Sequence, residues 1–326
     1  MIETVLQYCK RMTKTISDAR VVATSFVVSI FDVGLNLFIA LLTGSAVMLA
    51  QALQGLSDLI TGGILYNGVK RSKRAKDARY QFGYGRELFF WVLMAGIVMF
   101  VGTGGMSVYF GYQQLINPEP VEHTWIALTV LIFGFVTNTY AFLLSLKRLQ
   151  DIDPTKHWYE QLLHSSLVET KATFLIDVLG SLSAVLGFVS LMLYVLTGNV
   201  MFDGLGGIVI GLAMMCVAAI LVNDVRGLIV GRAVDAHVQE KIKRTTEAVP
   251  GVKSVLGILS MYLGSARLMV IIEVHLQDDL DTDKIEKIVD EIKDSVRQNI
   301  PQVHHIQVEV ETPDDESQFS ISTNSS

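Results

Sequence analysis

The sequence of 326 residues is poor in charged residues and in cysteine. Charged residues make up 18% of the chain, whereas soluble globular proteins carry about 25%, so the composition does not fit a wholly soluble protein. The two cysteines, Cys9 and Cys216, lie far apart, which argues against a disulfide framework or a thiolate metal site. No basic stripe with interleaved aromatic residues is present, so nucleic acid is not an expected partner.

Long apolar runs fill roughly the first two thirds of the chain. A segment that spans a bilayer needs about 20 mostly apolar residues, and it must be helical because its backbone polar groups cannot stay unpaired in hydrocarbon. Six segments meet this requirement: Val21–Leu42, Ala46–Val69, Leu88–Tyr112, Trp125–Leu146, Val168–Leu196 and Asp203–Val222. The first run is too long for a signal peptide, so we expect it to be retained as a helix.

Lysine and arginine are concentrated in alternate loops. The loops after the second and fourth segments carry Lys70, Arg71, Lys73, Arg74, Lys76, Arg79, Arg86, Lys147, Arg148 and Lys156. The loops at the other side, Thr43–Ser45, Gln113–Thr124 and Thr197–Phe202, carry none. Because basic loops stay on the cytoplasmic side, this bias predicts that both termini are cytoplasmic. The predicted arrangement of segments and loops is compatible with a prokaryotic inner membrane.

The last third of the chain has the pattern of an α/β domain. It predicts a helix over Asp235–Ala248, strands over Val252–Leu263 and Leu268–Leu276, a helix from the N-cap Asp281 to Asn299, and a strand over His305–Val310. This α-β-β-α-β order indicates a ferredoxin-like domain, with two helices on one face of a small sheet.

These patterns divide the chain into four parts. Residues 1–20 form a cytoplasmic segment, 21–222 a six-helix transmembrane domain, 223–312 a cytoplasmic ferredoxin-like domain, and 313–326 a tail. The tail is rich in serine and acidic residues and is expected to be disordered. The expected fold is therefore an α-helical membrane protein with an appended α+β domain.

Three aspartates interrupt the apolar segments: Asp32, Asp58 and Asp177. Charges inside a bilayer are costly and mark ion pathways by default. Gln54 precedes Asp58, and Thr173 precedes Asp177, by the helical spacing that places both residues of a pair on one face. Two such helices could surround one cation with four oxygen ligands, although glutamine and threonine also serve simply to bond a neighbouring helix.

Asp32 leaves two interpretations open. It could pair with Asn36 or with a helix backbone, or it could add a third carboxylate to the cation site. Glu169 and Lys171, near the start of the fifth segment, lie where the membrane interface is expected.

Several motifs resemble those of the cation diffusion facilitator family, which includes the zinc transporters. The similar stretches are Gly44–Ala50, Ser57-Asp58, Tyr80–Glu87, Asn117-Pro118 with Pro120, and Asp177 with Leu182–Gly187. The resemblance covers nearly the whole chain and agrees with the six segments and the ferredoxin-like domain. It implies export of a divalent metal, with protons as the counter-ion, by a homodimer held through the cytoplasmic domain. It implies no organic cofactor and no enzymatic activity.

The site departs from the family pattern. The family usually has Asp or His at the positions of Gln54 and Thr173, so the set Asp58, Asp177, Gln54 and Thr173 contains only oxygen donors. Such a set argues against high-affinity binding of Zn²⁺, which favours nitrogen and sulfur ligands, and suits harder ions such as Mn²⁺; weak binding is the alternative interpretation. The candidate cations are Mn²⁺, Fe²⁺ and Zn²⁺. Glu169 could replace a missing ligand.

Two accessory sites of the family have weaker counterparts. Tyr80 stands where some members carry a histidine, so we expect the loop-borne metal site to be absent or weak. His275, Glu309 and Glu311 fall close to positions where members place a cytoplasmic metal site, and the two glutamates share a strand face. A solvated surface is the alternative interpretation of these three residues.

Two other functions fit part of the sequence. A membrane-embedded transferase would need clustered acidic residues with glycine and arginine, but Asp203-Gly204 stands alone. A non-transporting scaffold or heterodimer partner on the same fold would explain the loss of ligands at Gln54 and Thr173.

Overall fold

The computed structural model describes residues 19–150 and 168–313. The side chains of residues 19–28, Arg148, Leu149 and Glu169 are outside this description. The predictions for the N-terminal segment up to residue 18, for Lys156, for the Glu169 side chain and for the tail beyond residue 313 therefore lie outside the described residues.

Six long helices occupy the part of the chain where apolar segments were predicted. They are α1 (Ala19–Thr43), α2 (Ala46–Ser72), α3 (Glu87–Ile116, with a π-helical turn over Val98–Gly104), α4 (Thr124–Gln150), α5 (Val168–Thr197) and α6 (Met201–Val230). Each predicted segment falls on one helix, and the helices extend beyond the predicted bounds. The extra length is greatest in α6, whose last turns carry Asn223, Asp224 and Arg226, polar residues that an apolar count leaves out.

Four of these helices are long and apolar enough to cross a membrane by length and composition alone, namely α3 to α6. In α1, the stretch with described side chains, Ser29–Thr43, is apolar but shorter. Helix α2 is less apolar because its inward face carries buried polar residues, among them Gln51, Gln54 and Ser57. The least hydrophobic of these helices therefore carries two of the candidate site residues, Gln54 and Asp58.

Small residues bring α3 and α6 into close contact. A Cβ atom on Gly111 would lie 2.7 Å from the backbone oxygen of Gly204, and one on Gly211 would lie 2.9 Å from that of Gly104. The two backbones thus approach more closely than larger side chains would permit, which is a common packing mode of membrane helices.

The α/β domain has the predicted element order. It contains α7 (Ala236–Glu247), β1 (Val252–Gly264), β2 (Arg267–Leu276), α8 (Thr282–Asn299) and β3 (Val303–Val310). The sheet order is β1-β2-β3, with β1 antiparallel and β3 parallel to the central strand. Strand β2 alternates between buried and half-buried residues along its length. Asp281 caps α8, since its carboxylate accepts from the Lys284 backbone N–H at 2.8 Å.

The chain divides into two compact units. One contains the residues up to Val69 together with Phe90–Val225, and the other contains Lys70–Phe89 together with the chain from Arg226 onwards. The loop between α2 and α3 thus belongs to the unit of the α/β domain, although the sequence reading placed it in the transmembrane part.

Two glycines explain how that loop packs on the β1–β2 turn. A Cβ atom on Gly85 would meet the carbonyl oxygen of Leu263, and one on Gly264 would lie 2.9 Å from the Cα atom of Gly85. Within the loop, the Asp77 carboxylate accepts from the Tyr84 hydroxyl at 2.6 Å and from the Tyr80 backbone N–H at 2.7 Å. These bonds lower the pKa of Asp77 below its ordinary value.

Asp203 holds the start of α2. Its carboxylate accepts from the Ser45 hydroxyl at 2.5 Å and from the backbone N–H groups of Ala46 at 2.7 Å and Val47 at 3.2 Å. Free N–H groups and a positive dipole end at a helix N-terminus attract an anion, so a fully buried aspartate is stable here.

Replacing Asp203 with alanine should lower the free energy of unfolding by at least about 2 kcal/mol, because three buried donors lose their acceptor. Thermal unfolding in detergent, monitored by size-exclusion chromatography, measures this loss of stability. The matched control is Thr129→Ala, which removes an exposed hydroxyl bonded only to a carbonyl of its own helix turn. Equal stability of the two variants would contradict the capping role.

Replacing Gly85 with alanine should loosen the loop from the β1–β2 turn, because the added methyl group collides with the Leu263 carbonyl. Since the loop is rich in lysine and arginine, limited trypsin digestion of the full chain should cut it several-fold faster. Gln81→Ala, at an exposed position of the same loop, is the control and should be cut at the rate of the unaltered protein.

Candidate metal-binding site

A hydrogen-bonded chain joins α2 to α5 in the interior of the membrane unit. The Ser183 hydroxyl of α5 donates to Gln54 Oε1 at 2.8 Å, and Gln54 Nε2 donates to Asp58 Oδ2 at 2.7 Å. Gln51 Nε2 donates to the Ser183 carbonyl at 2.7 Å. These bonds fix the relative position of the two helices that carry the predicted aspartates.

Asp58 is half-buried, as are Asp32 and Asp177, but its carboxylate contains an enclosed oxygen. One of its oxygens accepts from Gln54, but the other, Oδ1, is buried and has no hydrogen-bond partner among the described residues. The hydroxyl of the adjacent Ser57 is also buried and has no hydrogen-bond partner among the described residues. A buried carboxylate oxygen without a donor is costly, so an acceptor is available there for a proton or a cation.

The other two predicted aspartates lie close enough to act electrostatically on Asp58. Asp177 of α5 is the stronger of the two and Asp32 of α1 the weaker. Asp177 and Asp32 are both half-buried. Asn36 donates to the backbone oxygen of Asp32 at 2.9 Å. Three helices therefore direct carboxylates towards one region of the bundle interior.

Gln54 and Thr173, the two neutral residues of the predicted site, differ in their burial. Gln54 is nearly fully buried and turns its amide nitrogen, not its oxygen, towards Asp58. A nitrogen of an amide cannot coordinate a metal, so ligation by Gln54 requires its carboxamide to rotate. Ser183 can accept from the rotated Nε2, because the hydroxyl proton of Ser183 also reaches the Gly180 carbonyl at 3.0 Å. Thr173 is half-buried on α5, one turn before Asp177.

Among the residues that the structure describes, no three His, Cys, Asp or Glu side chains converge as a metal-binding group. Helices α2 and α5 offer two carboxylates and a neutral amide rather than three charged ligands. A cation bound here would need further neutral oxygens, from the backbone, water or another helix.

Three buried polar residues of this unit were not among the predicted site residues. Ser183 and Gln51 are two of them, because nothing in a linear sequence shows which polar side chain faces a neighbouring helix. Asp203 was treated as the start of a segment, although it is fully buried. Its position beside the glycine-rich start of α6 was the signal available.

Lys171, expected near the membrane interface, is buried and lies 3.6 Å from the Asp224 carboxylate of α6. The ion pair links α5 and α6. Since the charge of a buried lysine needs an anionic partner, Asp224 explains why Lys171 can be buried on α5.

The predicted residues of the α/β domain are only partly brought together. His275 and Glu311 line an open pocket of about 620 Å³ with Asp278 and Asp279, whereas Glu309 does not line it. His275 Nδ1 lies 3.3 Å from the backbone oxygen of Glu311.

Two acidic residues in or near this pocket already have hydrogen-bond partners. Glu309 accepts from Gln307 at 2.8 Å. A hydrogen bond from Lys253 lowers the pKa of Asp278. The pocket is thus an acidic, solvated surface of the domain that carries one histidine.

A bundle of long helices around buried aspartates, followed by a small α/β domain, defines a helical membrane protein of the ion-transport class. The family model of the cation efflux transmembrane domain matches residues 22–229 of the sequence. The family model of the cation efflux protein cytoplasmic domain matches residues 234–313. The chain therefore belongs to the cation efflux family, also called the cation diffusion facilitator family.

Curated relatives are distant in sequence. The mitochondrial proton-coupled zinc antiporter SLC30A9 of Xenopus laevis is 26% identical over 76% of this chain and 45% of its own length. The chain thus spans under half of that relative. A protein of Mycobacterium tuberculosis assigned to a cation efflux system is 24% identical over 90% of this chain and 83% of its own length. Among solved structures, a nickel form of a MamM C-terminal domain variant covers 24% of this chain at 20% identity, with a TM-score of 0.23.

Replacing Ser183 with alanine should weaken the link between α2 and α5, because Gln54 Oε1 loses its donor. We expect a loss of about 1 kcal/mol in unfolding free energy, a typical value for such bonds in membranes. Thermal unfolding in detergent measures it. Ser181→Ala is the matched control, since the Ser181 hydroxyl bonds to a carbonyl of its own helix, that of Asp177. A larger effect from Ser181→Ala would contradict the assignment.

Proposed function

We propose that this protein exports a divalent metal cation across a membrane, with protons as the counter-ion, through a site between α2 and α5. The observation that carries the proposal is the enclosed Oδ1 atom of the half-buried Asp58, which has no donor among the described residues, while Asp177 lies close enough to act on this carboxylate electrostatically. An acidic pair in an apolar bundle is stable only when a cation or protons neutralise it.

The charge of this site favours a divalent cation. Asp58 and Asp177 together neutralise two positive charges, and Asp32 can stabilise the cation from a longer distance. The neutral donors Gln54 and Thr173 would complete the shell with oxygen, and Glu169 is a further candidate ligand on α5. Oxygen ligands suit Mn²⁺ and Fe²⁺ better than Zn²⁺, although Zn²⁺ also accepts carboxylates.

Proton coupling follows from the same pair of carboxylates. Two ionised carboxylates that lie close together in a medium of low dielectric repel each other, so protons and the metal compete for one site. Protons that return through the emptied site would offset the cost of moving a double charge against the membrane potential, about 2.3 kcal/mol per charge per 100 mV. The name of the antiporter SLC30A9, a family relative, supports this part of the proposal.

The setting of the protein is proposed from charge and family. The basic loops favour a cytoplasmic position for both termini and the α/β domain. The bacterial relatives support a prokaryotic plasma membrane. The match of residues 234–313 to a family dimerisation domain supports a homodimer, and the pocket lined by His275 and Glu311 is where a weak regulatory metal would bind.

Flux into proteoliposomes under an imposed pH gradient tests the transport proposal. We expect Mn²⁺, Fe²⁺ or Zn²⁺ to move only when the gradient is present. Asp58→Asn and Asp177→Asn should each reduce the flux at least about a hundredfold, because one charge of the pair is lost at constant size. Glu119→Gln, in an exposed loop outside the helices, is the matched control and should keep the flux of the unaltered protein.

Two outcomes would overturn the proposal. Flux at the unaltered rate in both aspartate variants would show that the site lies elsewhere. The absence of flux and of binding for every divalent ion, from folded dimeric protein, would favour a non-transporting partner subunit on the same fold.

A further inference from the structure

The fifth helix has a gap in its surface one turn after Asp177, at Gly180. A Cβ atom at this position would lie 3.0 Å from Asn138 Oδ1 of α4 and 3.3 Å from Gln54 Nε2 of α2. Two amide side chains from different helices therefore approach the same position on α5, and a larger residue there would force them to shift by a few tenths of an ångström. Because Gln54 is bonded to Asp58, Asn138 reaches the edge of the aspartate region.

The atom that Asn138 directs into the gap is its oxygen. Gly180 is buried, and Oδ1 is the Asn138 atom that lies nearest to it. The Gln54 oxygen is held by Ser183 on the opposite side of its amide, so the amide group of α2 contributes a donor, not an acceptor, to this region. Asn138 therefore offers a neutral oxygen in the orientation that the structure shows, whereas Gln54 offers one only after its carboxamide rotates.

We propose that Asn138 is a specificity-determining residue of the transport site, which contributes an amide oxygen from α4 to the bound cation. The inference rests on the proposed transport function and extends the site from two helices to three. An all-oxygen site selects harder divalent ions, since amide oxygen is a good ligand for Mn²⁺ and a poor substitute for the nitrogen and sulfur that Zn²⁺ prefers.

A purely structural role is the competing explanation. Asparagine often bonds a neighbouring helix in membranes without touching an ion. The two roles differ in their response to a change of donor atom. A structural bond responds only in stability, whereas a ligand position also changes the ranking of ions that bind.

The test compares Asn138→His and Asn138→Leu with the unaltered full chain, in equilibrium binding of Mn²⁺ and Zn²⁺ to the purified protein and in flux from proteoliposomes. The imidazole nitrogen of Asn138→His should raise the ratio of Zn²⁺ to Mn²⁺ affinity by at least about tenfold. Asn138→Leu should lower Mn²⁺ affinity by about tenfold or more. Thr137→His and Thr137→Leu are the matched controls, because Thr137 is exposed and bonds to a carbonyl of its own helix.

Gly180→Ala gives a second measurement that does not depend on Asn138 folding well after substitution. Alanine favours a helix over glycine, yet its methyl group would occupy the gap and push Asn138 Oδ1 away. We expect lower Mn²⁺ affinity without loss of thermal stability.

The inference would be overturned if Asn138→His left the ranking of ions unchanged and Gly180→Ala left the Mn²⁺ affinity unchanged, while Asp58→Asn still abolished flux. If the unaltered protein bound and moved no divalent ion, the transport proposal itself would fail. The two failures are therefore distinguishable.

Discussion

A carboxylate cannot remain charged and unpartnered among apolar helices, and the interior of this bundle is organised by how that constraint is met. The cost of an isolated buried charge is several kcal/mol even after relaxation. Every buried acidic group must therefore find hydrogen-bond donors, a basic partner, a proton or a cation. The contacts between α2 and its neighbours follow from these alternatives.

Asp203 and Asp58 meet the constraint in opposite ways. Asp203 receives the Ser45 hydroxyl and the first backbone N–H groups of α2, so both of its oxygens are satisfied. Asp58 receives one amide N–H and retains one buried oxygen without a partner among the described residues. The same residue type is structural in the first setting and available for a ligand in the second. Lys171 and Asp224 show a third solution, in which a buried cation and an anion neutralise each other.

The amide of Gln54 is the element on which metal binding would depend. In this structure it donates to Asp58 and accepts from Ser183. If the proposed site binds a cation, the carboxamide would have to turn its oxygen towards the metal. The Ser183 hydroxyl could then accept from the rotated amide nitrogen, because its own proton also reaches the Gly180 carbonyl.

Much of the fold was predictable from local patterns. Apolar runs of sufficient length, the alternation along β2 and the cap at Asp281 are properties of adjacent residues, and they placed the six helices and the α-β-β-α-β order. The spacing of Gln54 and Asp58 also predicted their contact, since residues one turn apart share a helix face. The helix ends were less predictable, because polar end turns carry no apolar signal.

The remaining features depend on contacts between distant parts of the chain. The sequence by itself determined which segments enter the membrane and which aspartates interrupt them, because hydrocarbon tolerates only apolar helices. Only the tertiary structure decided that Asp203 caps α2, that Ser183 faces Gln54 and that Asn138 reaches the gap at Gly180. Side-chain direction around a helix is set by packing against its neighbours, and no local pattern specifies which helices those neighbours are.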